Sequence, residues 1–196
     1  MKTLFLDTSS RYLSLTIYQS KAVIYSNSIL LKNRFNEELL SIIDFAFKTL
    51  KIDNSEIDEY YVVVGPGSFT GVRIGVSTAL GLSLATGKQL YGITSLDAAA
   101  LILNKYTKQV KISVATKLRL NEYAYREYDF KMNKYSDYLI VKKDEISSNT
   151  YILGDYYINV TRCYDHSLFK DFIRGYEPFY MRKSQAEINF DKAYSL

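Results

Sequence analysis

The run Gly65 to Gly75, GPGSFTGVRIG, constrains this chain of 196 residues more than any other stretch. It follows Tyr60–Val64, a near-continuous apolar run that predicts a strand buried on both faces, as in a parallel or mixed sheet with crossover helices. Gly65, Gly67 and Gly71 supply backbone freedom or close approach where a side chain would clash. Pro66 removes one donor and stiffens the exit from the strand. Ser68 or Thr70 can cap a helix predicted from about Thr70 to Thr86, with Gly87 as its stop. The N-terminus of such a helix is an anion site in principle. The run lacks the lysine of G-x-x-x-x-G-K-[ST] and the spacing of G-x-G-x-x-G, so neither nucleotide fingerprint is met.

The helix carries a second signal. Gly71, Gly75 and Ala79 recur every four residues, and Ser83 continues the row. Glycine inside a helix costs ~1 kcal/mol relative to alanine, so Gly71, Gly75 and Gly81 call for a packing reason. Val72, Ile74, Val76, Leu80, Leu82 and Leu84 make the helix apolar nearly all round, the mark of burial on more than one side. Two readings stay open and can both hold: burial against Leu39–Leu50 of the same lobe, and docking of a second protein on part of the helix. The docking reading takes Ser68, Phe69 and Thr70 as its tip. Its seam is Gly71, Val72, Gly75 and Ala79, with Leu39 and Ile43 contributed by the preceding helix.

Around this centre the chain alternates strands and helices. Lys2–Asp7, Tyr12–Tyr18 and Ala22–Leu30 predict a β-ribbon. Asn33 or Asn36 can cap a helix with Glu37 and Glu38 in its first turn, and Leu39, Ile43, Ala46, Phe47 and Leu50 line one face. Lys88–Ile93 is a strand, and Thr94 or Ser95 caps a helix through about Asn104. Beyond Val110, Lys111–Leu118 and Glu122–Phe130 predict a hairpin around Arg119–Asn121. Tyr138–Val141, Tyr151–Leu153 and Ile158–Arg162 predict short strands, Leu168–Ile173 a short helix, and Glu177–Arg182 an extended segment. The order implies an α/β chain of two related lobes, residues 1–104 and a reduced second lobe, 105–196.

Hydrophobic residues make up 47% of the chain, which suits a globular protein rather than a disordered one. The single cysteine, Cys163, excludes an internal disulfide framework and suits a reducing compartment. The start, MKTLFLDTSS, reaches Asp7 too soon for a signal peptide. The longest charge-free stretch, Ile74 to Gly87, is shorter than the ~20 apolar residues of a membrane span. A cytoplasmic protein off the membrane is expected. Lys and Arg balance Asp and Glu at 9 to 9 over residues 1–104, whereas residues 105–143 hold 10 against 4. With Tyr106, Tyr123, Tyr125 and Tyr128 interspersed, that segment could touch RNA phosphates and bases. A solvated face of tyrosine-rich strands is the preferred account.

Val62–Gly75, read as V-V-x-G-P-G-S-F-T-G-V-R-I-G, resembles the signature of the TsaB (YeaZ) family. The Leu-x-Leu-Asp-Thr start at Leu4–Thr8, Arg119-x-x-Glu122 before an aromatic strand, and the Glu-Pro-x-Tyr-x-Arg close at Glu177–Arg182 agree in order. The resemblance implies an actin/Hsp70-like (RNase H-type) fold of two lobes. It implies a non-catalytic partner of TsaD in making N6-threonylcarbamoyladenosine in transfer RNAs that read ANN codons. TsaD would dock through a helical bundle, TsaE would join with its ATPase activity, and a homodimer would form through the same surface. No cofactor of its own is implied; ATP or ADP would belong to the complex, as would transfer RNA. Arg34-Phe35-Asn36 stands where many members carry Glu-His-Ser/Thr, and Lys117-Leu118-Arg119 where they often carry Asp-Ala-Arg. The loss of that acid counts against inherited magnesium or nucleotide chemistry there.

No catalytic residue and no metal site is expected. TsaD-like enzymes hold a metal with an H-x-x-x-H pair, and this chain has one histidine, His166. Asp165-His166 near Ser167 invites a hydrolase reading, but no G-x-S-x-G elbow is present, and a surface turn histidine is the preferred account. Asp7, Thr8 and Ser9 sit where actin-like ATPases place their first phosphate-contacting hairpin, and equally fit ordinary turn chemistry. The competing function is a stand-alone ATP-binding transferase or peptidase.

Overall fold

A computed structural model describes residues 1–30, 35–154 and 158–181 of the chain. The first sheet is built from β1 (Lys2–Asp7), β2 (Tyr12–Gln19), β3 (Ala22–Leu30), β4 (Glu59–Val63) and β5 (Gln89–Ile93), in the order β3-β2-β1-β4-β5. β1, β2 and β3 are joined by tight turns and pair antiparallel. β4 lies parallel to both β1 and β5, which explains its unbroken apolar sequence: Tyr60, Tyr61, Val62 and Val63 are all buried.

Side-chain alternation sorts the two faces of this sheet. Leu4, Leu6, Tyr60 and Val62 point toward α1 (Phe35–Leu50) and α2 (Phe69–Thr86), where Leu39, Ile43, Ala46, Val72, Val76 and Ala79 complete one core. Phe5, Tyr18, Tyr61 and Val63 point the other way, into a core shared with α3 (Ser95–Thr107) and the second lobe. α3 is capped by Thr94, and every residue from Ser95 to Leu103 is buried, because the helix lies between two sheets.

The second sheet consists of β6 (Lys111–Arg119), β7 (Glu122–Asp129), β8 (Lys134–Tyr135), β9 (Leu139–Lys142) and β10 (Tyr151–Leu153). β6 and β7 form the expected hairpin; β10 runs parallel to β6, and β8 and β9 line the far edge of β7. Ile158–Arg162 does not form the expected strand. Its centre is a turn of 3-10 helix, Val160–Cys163, capped by Asn159. There Thr161 shares a 2.7 Å hydrogen bond with the Thr16 hydroxyl, and its carbonyl accepts one of 2.9 Å from the Tyr18 hydroxyl. These polar groups are satisfied by the first sheet rather than by a ladder. Asn33, Arg34, Arg182 and the side chains of Asn36 and Glu37 lie outside the described residues.

Asp97, in the first turn of α3, fastens that helix to the second sheet. Its carboxylate accepts hydrogen bonds from Arg126 Nη1 (2.6 Å), Tyr128 (2.7 Å), Tyr138 (2.5 Å) and Thr94 (2.5 Å). The carboxylate is 2% and the guanidinium side chain 14% exposed, so neither charge has water as an alternative partner. Removing one member of a buried pair strands the other, at a cost of about 3–5 kcal/mol. Asp97→Ala is expected to lower unfolding stability by that amount in urea titration, and a loss under about 1 kcal/mol would refute the account.

Candidate functional site: the turn from β4 into α2

The strand-to-helix turn is fixed from three sides. Gly65 has φ of 99°, a conformation that side chains resist, and its carbonyl accepts the Ser95 N–H at 2.8 Å. Ser68 caps α2 by accepting the Gly71 N–H at 3.1 Å, and its own N–H donates to the Ser9 carbonyl at 2.6 Å. Two amides that an anion would need are therefore already donating, which weakens the phosphate-cradle reading. From outside, the segment after Ile173 closes over the turn. Gly92 and Arg174 exchange two backbone hydrogen bonds of 2.9 Å, and the Phe179 N–H reaches the Val64 carbonyl at 2.7 Å.

The small-residue row does not face a second helix. A Cβ on Gly67 would run into the Ser9 carbonyl, one on Gly71 into the Thr8 carbonyl, and one on Gly75 into the Thr8 hydroxyl. That hydroxyl is buried and donates to the Gly71 carbonyl at 2.7 Å, so it cannot swing aside. The row is the seat of the chain's own β1–β2 turn. This corrects the docking seam expected above: Gly71, Val72, Gly75, Ala79, Leu39 and Ile43 are all buried in their own lobe.

The tip residues stand differently. Ser68 and Thr70 are exposed, and Phe69 is half-buried. The outward face of α2 continues through Arg73, Ser77, Gly81, Leu84 and Ala85, all exposed. Nothing lies within 4 Å of a Cβ built on Gly81. Leu84 is 71% exposed, and α1 adds Leu40 at 60% and Phe45 at 61% on the same side of the sheet. Sequence periodicity missed this face because its members are a mixture of polar, small and apolar residues. The usable signal was Arg73, the one charge between Lys51 and Lys88 that falls within an α-helix.

Asp7, Thr8 and Ser9 lie together at the end of β1, but do not act together. Thr8 turns its hydroxyl into α2, away from the cleft between the lobes. Asp7 accepts the Ser9 N–H at 2.7 Å, the local turn chemistry. Its burial pushes the carboxyl up to about 6, against the opposing pull of the hydrogen bonds from Ser9. The cleft beside Asp7 is lined by Ser9, Ser10, Ser95, Thr116, Leu153 and Gly154, and Arg11 Nη2 spans to the Gly154 carbonyl at 3.3 Å. Its volume of about 30 Å³ is enough for water and far below the ~300–1,000 Å³ of small-molecule sites. Lys117 is exposed on β6 and is not among the cleft residues.

His166 is half-buried rather than a surface residue. Its Nδ1 accepts the Leu168 N–H at 3.1 Å, so the neutral ring donates from Nε2 to Asn104 Oδ1 at 2.9 Å. Burial lowers its pKa, and Asp165 pairs instead with Lys105, so the hydrolase reading loses its acid–base pair.

Part of the basic segment is committed to ion pairs. Lys105, Arg119 and Arg126 pair with Asp165, Glu122 and Asp97. Tyr123 and Tyr128 are buried and offer no ring to a base. A concavity of about 960 Å³ on this lobe sets Lys111 and Lys134 against Glu127 and Asp129, a balance of charge that does not favour phosphate.

A mixed five-stranded sheet, a helix pair on one face, a helix between the sheets and a smaller second sheet define a two-lobed α/β protein of the actin/Hsp70-like (RNase H-type) kind. The family model described as TsaD, tRNA N6-adenosine threonylcarbamoyltransferase, matches residues 29–117. The tRNA threonylcarbamoyladenosine biosynthesis protein TsaB of Buchnera aphidicola (subsp. Schizaphis graminum) is 31% identical over 125 residues, covering 64% of this chain and 59% of that protein. TsaB of Escherichia coli is 25% identical over 128 residues, covering 65% and 55%. The solved structure of YeaZ from Pseudomonas aeruginosa superposes with a TM-score of 0.66 at 19% identity, covering 74% of this chain and 69% of that one. The chain is similar to TsaB (YeaZ) proteins over 64–65% of its own length and shares the fold of a YeaZ structure. It spans between half and six tenths of the length of these two curated relatives. Among the described residues, no helix is long and apolar enough to cross a membrane.

Two outcomes are expected from these contacts. Gly71→Ala should destabilise the fold by about 1–3 kcal/mol through its clash with the Thr8 backbone. Gly81→Ala should instead stabilise it by up to about 1 kcal/mol by removing a mid-helix glycine. Thermal melts of both would refute the packing account if the signs were reversed. For Asp7, the folded carboxyl titrates above its unfolded value of about 3.9, so the folded state holds the proton longer. Its contribution is complete below pH ~4 and falls by about 3 kcal/mol as pH rises to about 6 and beyond. Asp7→Asn should gain on the wild type by that amount between pH 4 and 7. A difference that stays constant over this range would overturn the assignment.

Proposed function

We propose that this chain is a binding subunit that holds a TsaD-type catalytic homologue in its working arrangement for N6-threonylcarbamoyladenosine modification of transfer RNAs reading ANN codons. The observation that carries the proposal is the outward face of α2, where Leu84 stands 71% exposed beside an uncovered Gly81. Solvent-facing leucines and phenylalanines on two adjoining helices are the kind of surface that a partner helix covers. The docking surface proposed is Ser68, Phe69 and Thr70 at the tip, then Arg73, Ser77, Gly81 and Leu84 along the face.

Similarity to TsaB proteins and the match of residues 29–117 to the TsaD model support the partner. The non-catalytic role is supported by the single histidine, which leaves no H-x-x-x-H pair, and by a cleft of about 30 Å³ beside Asp7. In this reading the chain brings no cofactor of its own and works in the cytoplasm with a TsaE-type ATPase. It forms a homodimer through the same face when alone, and meets transfer RNA through the complex. Residues 1–104 carry the docking helices, and 105–196 form the smaller lobe.

The test is co-expression with the TsaD-type protein of the same cell and pull-down on a tag. Wild-type chain is expected to capture it, and Gly81→Arg to lose it while keeping the wild-type melting temperature. Failure of the wild type to capture that protein would overturn the proposal.

A further inference from the structure

We infer that Arg73 is the specificity anchor of the α2 face, and that it takes a carboxylate side chain of the docking partner. The inference rests on the docking reading above and adds the chemistry of its recognition. Arg73 is the only charged residue in α2, whose sequence FTGVRIGVSTALGLSLAT contains no acid. It is exposed, and no acid pairs with it among the described residues.

The guanidinium is nonetheless held in one place. Phe69, one turn earlier on the same face, lies beneath it with 4.0 Å from Cζ to the ring centroid. Tyr180 stacks on Phe69 with centroids 4.5 Å apart, and its hydroxyl accepts a 2.9 Å hydrogen bond from Arg73 Nε. Tyr180 is brought there by its neighbour Phe179, whose N–H bonds the Val64 carbonyl at 2.7 Å. The chain thus spends two aromatic rings, one from the end of its described sequence, on orienting a cation at the tip of a charge-poor helix.

Those contacts use Nε and the face of the guanidinium. They leave the edge formed by Nη1 and Nη2, which has no hydrogen-bond partner among the described residues. That edge matches a carboxylate with two parallel hydrogen bonds, a geometry that lysine cannot reproduce. Because the side chain is already fixed, a partner that binds it gives up little further rotamer freedom. An arginine packed on aromatic rings at the end of a small-residue and leucine face has the make-up of an interface hot spot. Tyr180 is a positioning residue in this scheme, acting through Arg73.

Titration of the co-expressed TsaD-type protein onto immobilised chain tests the inference. Arg73→Ala is expected to weaken binding by about 30-fold or more, with an unchanged melting temperature. Arg73→Lys, which keeps charge but not the fork, should recover only part of the loss. Tyr180→Phe keeps the stack, removes the hydroxyl that orients Nε, and should give a smaller weakening. Replacing the partner's surface acids one at a time by lysine should identify one that restores binding to Arg73→Glu. Wild-type affinity in Arg73→Ala, with loss of binding in Gly81→Arg, would overturn this inference and leave the docking surface standing. Equal affinity for Arg73→Lys and wild type would overturn the carboxylate fork. No binding by the wild type would overturn both.

Discussion

The close approach of the β1–β2 turn to α2 is the constraint on which the first lobe depends. Thr8 and Ser9 lie so near the helix that no side chain fits at Gly67, Gly71 or Gly75. In return, the Thr8 hydroxyl and the Ser9 carbonyl satisfy polar groups of the turn and the first helical residues. The Ser68 N–H would otherwise be orphaned where the helix begins against a buried strand end. The glycines cost helical stability, so their presence shows how tightly the strand end and helix are held together. It also explains why α2 starts where it does: Ser68 is both the cap of the helix and a donor to the Ser9 carbonyl.

The two lobes are joined by a different device. α3 lies in the core between the sheets, and its one buried acid, Asp97, gathers an arginine, two tyrosines and a threonine. Four donors on one carboxylate leave it fully satisfied, so it locks the helix to the second sheet rather than offering a site. Asp7 has no cation for a partner among the described residues and is held by its own turn, so desolvation dominates and its carboxyl rises to about 6. The contrast separates a structural carboxylate from one whose charge the fold opposes. With Arg11 reaching across to Gly154, the cleft over Asp7 is narrow, about 30 Å³.

Much of this was legible in the sequence because it rests on local chemistry. The apolar run Tyr60–Val64, the serine cap and glycine stop of α2, and the hairpin around Arg119–Asn121 were read within one or two residues of their observed bounds. The four-residue spacing of Gly71, Gly75 and Ala79 correctly marked one face as closely packed. Spacing along a helix cannot say what covers that face, and the covering residue, Thr8, lies 63 positions away. The same limit applies to Tyr123 and Tyr128, whose sequence neighbours made them look like a basic, aromatic surface until the sheet buried them. Ile158–Arg162 had strand-like composition, but its hydrogen bonds go to Thr16 and Tyr18, partners that no local pattern could name.

The packing of α2 divides its faces between the two readings of its sequence, which can both hold. A helix cannot give the same small residues both to its own strand end and to a partner. Thr8 occupies the inward row, so any docking falls to the opposite side, where Ser77, Gly81 and Ala85 repeat the four-residue spacing in the open. The inward glycines then serve the outward face indirectly. By seating α2 against β1 they remove the slack with which it could tilt, and the Phe69–Tyr180 stack fixes the one cation at its tip. A face held rigid from beneath loses little freedom when it is covered, and rigidity of this kind favours association without adding a contact. In the docking reading, the glycine-rich run thus acts on recognition through the turn that it grips.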